Sequence, residues 1–151
     1  MPTEIIPRLW IGNMNDALNY GLLKNLNVKT VVNCTKDIQF INNDLTNIRV
    51  PVDDNLEPQE IENMYKLMNR AVDLIHLSLM SGETVLVHCH AGRQRSAAII
   101  AAYLMKYGGI SPVDAIRFIR SKRNIAFFPQ VNFKNAIIKY ANDLNNLHNI
   151  K

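Results

Sequence analysis

Residues Ala97 to Met105 read Ala-Ala-Ile-Ile-Ala-Ala-Tyr-Leu-Met, nine apolar residues without a break. Wound as a helix, this run is apolar on every side, so other elements must surround it. It falls well short of the roughly 20 residues that a bilayer span needs. The helix is predicted over Ser96 to Tyr107, with Gly108-Gly109 as its stop. A chain of 151 residues is long enough to build one core around such a helix, so a single domain over 1–151 is expected.

The flanking segments supply that enclosure. Leu9-Trp10-Ile11 reads as a strand closed by a turn at Gly12-Asn13. Asp16 to Leu26 reads as a helix. Lys29 to Asn33 holds the β-branched run Thr30-Val31-Val32, and Ile48 to Val52 reads as another strand. Ile61, Met64, Tyr65, Met68, Val72, Ile75 and Leu79 recur at helical spacing, and Ser81-Gly82 ends that helix. Thr84 to Val87 is a buried strand. Ser111-Pro112 opens a further helix with an N-cap and a proline. The last helix carries Phe133, Ile137, Tyr140, Leu144 and Leu147 on one face. Strands alternating with helices predict an α/β domain with a central, mostly parallel sheet of about five strands flanked by helices.

Charge is unevenly spread. The net charge is +4, yet residues 1–87 carry seven Lys/Arg against eleven Asp/Glu, while residues 88–124 carry seven against one. Such a basic stretch attracts a phosphate group or another anion, or it is a solvated face. Two cysteines, Cys34 and Cys89, make no disulfide framework, and an intracellular, reducing setting is expected. The N-terminus has neither a basic nor an apolar leader segment, so no signal peptide is expected. The 19 Asn and 17 Ile fit AT-rich coding, as in an AT-rich microbe or a large DNA virus.

The basic stretch begins with Val87-His88-Cys89-His90-Ala91-Gly92-Arg93-Gln94-Arg95-Ser96. A buried strand ends at His88, a loop turns at Gly92, and a helix begins near Arg95. A strand–loop–helix of this kind aims successive backbone N–H groups at one point, and the helix N-terminus adds to that anion site. A cysteine at the start of the loop lies in this positive field, the setting that favours a thiolate nucleophile. Arg95 can hold two phosphate oxygens in a bidentate fork.

His88-Cys89, five residues, then Arg95-Ser96 resembles the signature of the cysteine-dependent phosphatases, with Gly92 where that family keeps a glycine. The helix Ala97–Met105 is similar to the one after the catalytic loop in compact dual-specificity phosphatases. Ile6 to Asn13, Val31-Val32-Asn33 and Ser111 to Ala115 are similar to other parts of that family. The resemblance covers roughly residues 4–140.

The resemblance implies a mechanism. Cys89 would attack phosphorus and form a phosphocysteine. Residues His90, Ala91, Gly92, Arg93, Gln94 and Arg95 would bind the substrate phosphate. Ser96 would hydrogen-bond the sulfur, and His88 would hold the setting of Cys89 from the strand end. The family's general acid is an aspartate after an apolar-Pro-apolar strand. Val50-Pro51-Val52-Asp53-Asp54 fits, with Asp54 in that place and Asp53 as the alternative.

No metal and no cofactor are expected. Adjacent strand residues such as His88 and Cys89 point to opposite faces, and no second Cys/His pair follows at ligand spacing. Phosphoproteins are the expected substrates. Anionic phospholipid, a phosphoinositide or phosphatidylglycerophosphate, is the alternative because His90 and Arg93 add basic groups beside Arg95. No nucleic-acid partner is expected. A phosphate-binding pseudophosphatase is the rival from another class. Cys34 is expected to be a core thiol, with a protective disulfide to Cys89 as its alternative role. Arg117, Arg120, Lys122 and Arg123 are either a solvated helix edge or a secondary anion contact.

Overall fold

The computed structural model describes residues 1–149, so the last two residues of the expected domain lie outside it. In chain order the elements are β1 (Thr3–Ile6), β2 (Leu9–Gly12), α1 (Met14–Ala17), α2 (Tyr20–Asn25), β3 (Val28–Asn33) and β4 (Thr46–Arg49). Then come α3 (Pro58–Met80), β5 (Thr84–His88), α4 (Arg95–Gly108), α5 (Pro112–Lys122) and α6 (Lys134–Asn149). The five strands form one sheet in the order β1-β2-β5-β3-β4. Only the β1–β2 pair is antiparallel. The α/β class and the mostly parallel sheet are therefore as expected.

Side-chain alternation divides the strands between two cores. Leu9, Ile11, Val32, Val85 and Val87 face α3 and α4 in the larger core, which α6 completes by packing on those two helices. Trp10, Val31 and Leu86 face the other way, against Ala17 and Leu23 of α1 and α2. β5 lies in the middle of the sheet and is buried from Val85 onward. The loop that follows it therefore starts from a strand held on both edges.

Helix α4 is buried continuously from Arg95 to Met105. It packs against β2, β5, α3, α5 and α6, the surround that its all-round apolar surface requires. Its C-terminus stops at Gly109, with φ 68°, a left-handed cap that glycine adopts readily. Ser111 caps α5 by accepting a hydrogen bond from the Asp114 N–H, with Pro112 following it.

Three expectations fail locally. The helix expected over Asp16 to Leu26 is broken into α1 and α2. Asn19 is extended (φ −96°, ψ 94°), and its side chain accepts from the Leu22 N–H, starting a second helix. The strand expected over Ile48 to Val52 ends at Arg49. Val50 donates one more hydrogen bond, to Asn33 O at 2.8 Å, and Pro51 then has no N–H with which to extend the ladder. Phe133, expected within the last helix, lies just before it and is buried.

Candidate active site

The parallel strands end together, and the segments that leave their C-terminal ends build one cleft of about 290 Å³. It is lined by Cys89, His90, Ala91, Arg93, Gln94 and Arg95 from the end of β5 to the start of α4, by Asp54, and by Phe128, Pro129 and Asn132 from the segment before α6. Cys89 follows β5 directly and is 2% exposed. Its sulfur lies 3.1 Å from the Ser96 hydroxyl.

Three carbonyls of the loop are turned away from the cleft. His90 O accepts from Met14 N at 3.0 Å, and Arg93 O accepts from Phe127 N at 2.8 Å. Gly92 O accepts from Arg123 Nε at 2.9 Å. In a trans peptide the carbonyl and the next residue's N–H point in opposite directions. The amides of Ala91, Arg93 and Gln94 therefore face the opposite side, and among the described residues none of them has a partner. They are donors waiting for an anion. Gly92 makes the turn at φ 66°, and a Cβ there would stand 2.6 Å from Gly12 O. Only glycine combines that conformation with that approach.

Arg95 is 7% exposed, and its Nη1 donates to Val52 O at 2.8 Å. Its Nε is the one buried side-chain polar atom without a partner among the described residues. A buried guanidinium with a free donor is costly unless a ligand completes it.

The two candidate acids are separated by their neighbours. Asp53 is not among the lining residues and accepts from Lys36 Nζ at 3.1 Å. Lys36 also pairs with Glu60, whose carboxyl that contact holds down at about 2. Asp54 lines the cleft and accepts from Asn132 Nδ2 at 2.9 Å.

The other expected site residues are placed by their partners. His90 Nε2 lies 2.8 Å from Asp37, 53 residues away, so its ring is turned to a carboxylate. The side chain of Gln94 is buried against the 128–132 segment, donating to Gln130 O at 2.6 Å and accepting from Asn132 N at 3.0 Å. Only the Gln94 backbone amide remains for a phosphate. His88 is buried on the opposite side of β5, among Ala17, Leu23, Val31 and Phe40. Burial pushes its pKa down to about 4. Among the described residues its ring has one hydrogen-bond contact, Cys89 O, 3.4 Å from Nδ1.

Arg123 is buried and does not lie on a solvated helix edge. It is 6% exposed and ties Gly92 O to Met1 O and Thr3 Oγ1. Cys34 is fully buried, its N–H donating to His88 O at 2.8 Å, and burial followed by the nearby Cys89 raises its thiol pKa well above the usual range. Sequence reasoning missed Asp37, Lys36, Glu60 and Asn132. Nothing local marks them, since each acts on a partner that is remote in the chain or belongs to a tertiary cluster.

Among the described residues no helix is long and apolar enough to cross a membrane. Residues 9–143 match the family model described as "Dual specificity phosphatase, catalytic domain". The chain is 33% identical over 147 residues to "Putative tyrosine phosphatase 123R" of Invertebrate iridescent virus 6, covering 95% of this chain and 94% of that protein. It is 35% identical over 149 residues to "Dual specificity protein phosphatase 16" of Homo sapiens, covering 96% of this chain but 21% of the human protein. Its fold is similar to the crystal structure of human DUSP28, with a TM-score of 0.84, 26% identity and 95% of each chain covered.

Proposed function

The chain belongs to the dual-specificity phosphatase catalytic-domain family, and on that premise we propose that it hydrolyses phosphate monoesters on phosphotyrosine, phosphoserine and phosphothreonine proteins, with 1–151 as one catalytic domain. The observation that carries the reading is the partnerless Nε of buried Arg95, in the same cleft as Cys89.

In the first step the Cys89 thiolate attacks phosphorus, and an S–P bond forms as the P–O bond to the leaving group breaks. The amides of Ala91, Arg93 and Gln94, with Arg95, hold the equatorial oxygens where charge accumulates. Asp54 gives its proton to the leaving oxygen. In the second step water attacks phosphorus and passes a proton to the Asp54 carboxylate. The S–P bond breaks, inorganic phosphate leaves, and the Cys89 thiolate returns, accepting a hydrogen bond from Ser96. The Lys36 contact to Asp53 and the place of Asp54 in the cleft support Asp54 as the acid.

Phosphoprotein is favoured over anionic phospholipid because Asp37 offsets His90. That leaves Arg93 as the exposed loop cation beside the buried Arg95. A lipid headgroup rich in phosphate would gain less here than the loop's composition suggests.

The test is metal-free hydrolysis of an aryl phosphate by wild type and Cys89→Ser. The variant should lose on the order of a thousandfold or more. Undiminished turnover would refute the nucleophile. In the pH profile of kcat/KM, Asp54→Asn should abolish the alkaline limb and Asp53→Asn should keep it. A panel of phosphopeptides, phosphoinositides and phosphatidylglycerophosphate then separates the two substrate classes, with the phosphopeptides expected to turn over faster.

A further inference from the structure

The general acid sits on a segment that no regular element holds. Residues 50–57 lie between β4 and α3, and Asp54 is exposed. A free aspartate there would spread over several rotamers, and proton transfer needs it at one place relative to the leaving oxygen. One side chain restricts it. Asn132 Nδ2 donates to Asp54 Oδ1 at 2.9 Å, across 78 residues of sequence. Among the described residues Asp54 has no other side-chain partner, so Oδ2 stays free to carry the proton.

Asn132 is itself braced. Its backbone N–H donates to Gln94 Oε1 at 3.0 Å, while Gln94 Nε2 donates to Gln130 O at 2.6 Å. Gln94 is 6% exposed and immediately precedes Arg95 in the catalytic loop. A buried primary amide satisfied by two backbone groups of one short segment is a rigid link. Phe127 N adds a second bond from that segment to the loop, at Arg93 O.

We propose that Asn132 is a positioning residue that sets the Asp54 carboxylate over the cleft, and that Gln94 couples this placement to the loop that binds phosphate. The same peptide that turns its N–H into the cleft at position 94 thus carries the side chain that locates the acid. The proposal rests on Asp54 being the general acid. A neutral amide suits the task, because it can stay bonded to Oδ1 whether or not Oδ2 carries the proton. A lysine there would hold the carboxylate ionised and oppose proton donation.

The experiment compares aryl phosphates whose leaving groups differ in basicity, phenyl phosphate against para-nitrophenyl phosphate. A misplaced acid matters most for the poor leaving group. Asn132→Ala should lower kcat on phenyl phosphate about tenfold, a fraction of what complete loss of the acid removes, and on para-nitrophenyl phosphate less than about twofold. KM should change little. Asn132→Leu, close in shape and without the donor, should reproduce the split. In the double variant Asp54→Asn/Asn132→Ala, kcat should match that of Asp54→Asn alone.

Equal losses on the two substrates, or additive losses in the double variant, would overturn the proposal while leaving the phosphatase reading intact. A failure of that reading looks different: no metal-free turnover by wild type, or no leaving-group dependence in Asp54→Asn itself. Melting temperature measured on each variant distinguishes a general loss of fold, which would depress both substrates alike.

Discussion

The Cys89 sulfur stands 3.1 Å from the Ser96 hydroxyl, seven residues on, where the first turn of α4 brings the end of the loop back to its beginning. Ser96 is fully buried and can donate to the sulfur. This contact gains most when the sulfur carries full negative charge, which is when it leaves phosphorus. A hydrogen bond to a charged group is worth about 1.5–3 kcal/mol, so Ser96→Ala should slow hydrolysis of the phosphocysteine roughly 10- to 100-fold. Rapid-mixing kinetics should then show a burst of released alcohol equal to the enzyme concentration, followed by slow turnover. Slowing of the burst itself would place Ser96 in the first step instead.

Buried His88 makes stability depend on pH in a defined window. Its ordinary pKa of 6.5 falls to about 4 in the folded chain, chiefly by burial. Between those values the unfolded chain binds the proton that the folded chain refuses. The contribution is therefore fully present above about 6.5 and is lost as pH falls through about 4, on the order of 3 kcal/mol in all. Glu60, held at about 2 by Lys36, adds its loss only below its ordinary 4.5. Urea unfolding between pH 7 and 4.5 should show this slope in wild type and a flatter one in His88→Asn. An unchanged slope would assign it elsewhere.

The turn of the catalytic loop depends on Gly92 and on the guanidinium that holds it. Gly92→Ala meets Gly12 O at 2.6 Å in a left-handed conformation. The backbone conformation alone costs about 1–2 kcal/mol. A melting temperature lower by at least roughly 4 °C is expected, together with loss of inorganic phosphate binding. Arg123→Met leaves Gly92 O without its donor and frees the peptide that carries the Arg93 N–H. Vanadate inhibition should weaken by about tenfold, the equivalent of one charged hydrogen bond. Arg123→Lys should rescue it poorly, since one ammonium cannot reproduce the fork to Gly92, Met1 and Thr3.

Asp37 tempers the charge of the loop through His90. Asp37→Asn should lower KM for acidic phosphopeptides by about two- to threefold at low ionic strength, and the gain should fade at high salt, because both groups are substantially exposed. A salt-independent change would point to altered loop geometry instead.

The loop from His88 to Ser96 and the buried helix behind it were legible because their signals are local. A strand end, a glycine at the turn and an apolar run all lie within one stretch of about twenty residues. The break at Asn19 and the early end of β4 were less legible. A capping asparagine looks like any polar residue in a helix, and Val50-Pro51-Val52 keeps strand-like hydrophobicity after Pro51 has ended the ladder. Arg123 stood in a run of basic residues, where only burial could tell it from its exposed neighbours.

The amino-acid sequence by itself determined the class of fold and the strand–loop–helix that carries Cys89 and Arg95, because periodicity and motif spacing act over a few residues. Tertiary structure decided which carboxylate faces the cleft, where His90 turns, and what Gln94, Asn132 and Arg123 hold. Those pairings join residues 31 to 78 positions apart. An amide, a carboxylate or a guanidinium can be satisfied by many partners, and its actual partner is chosen only when packing brings the segments together.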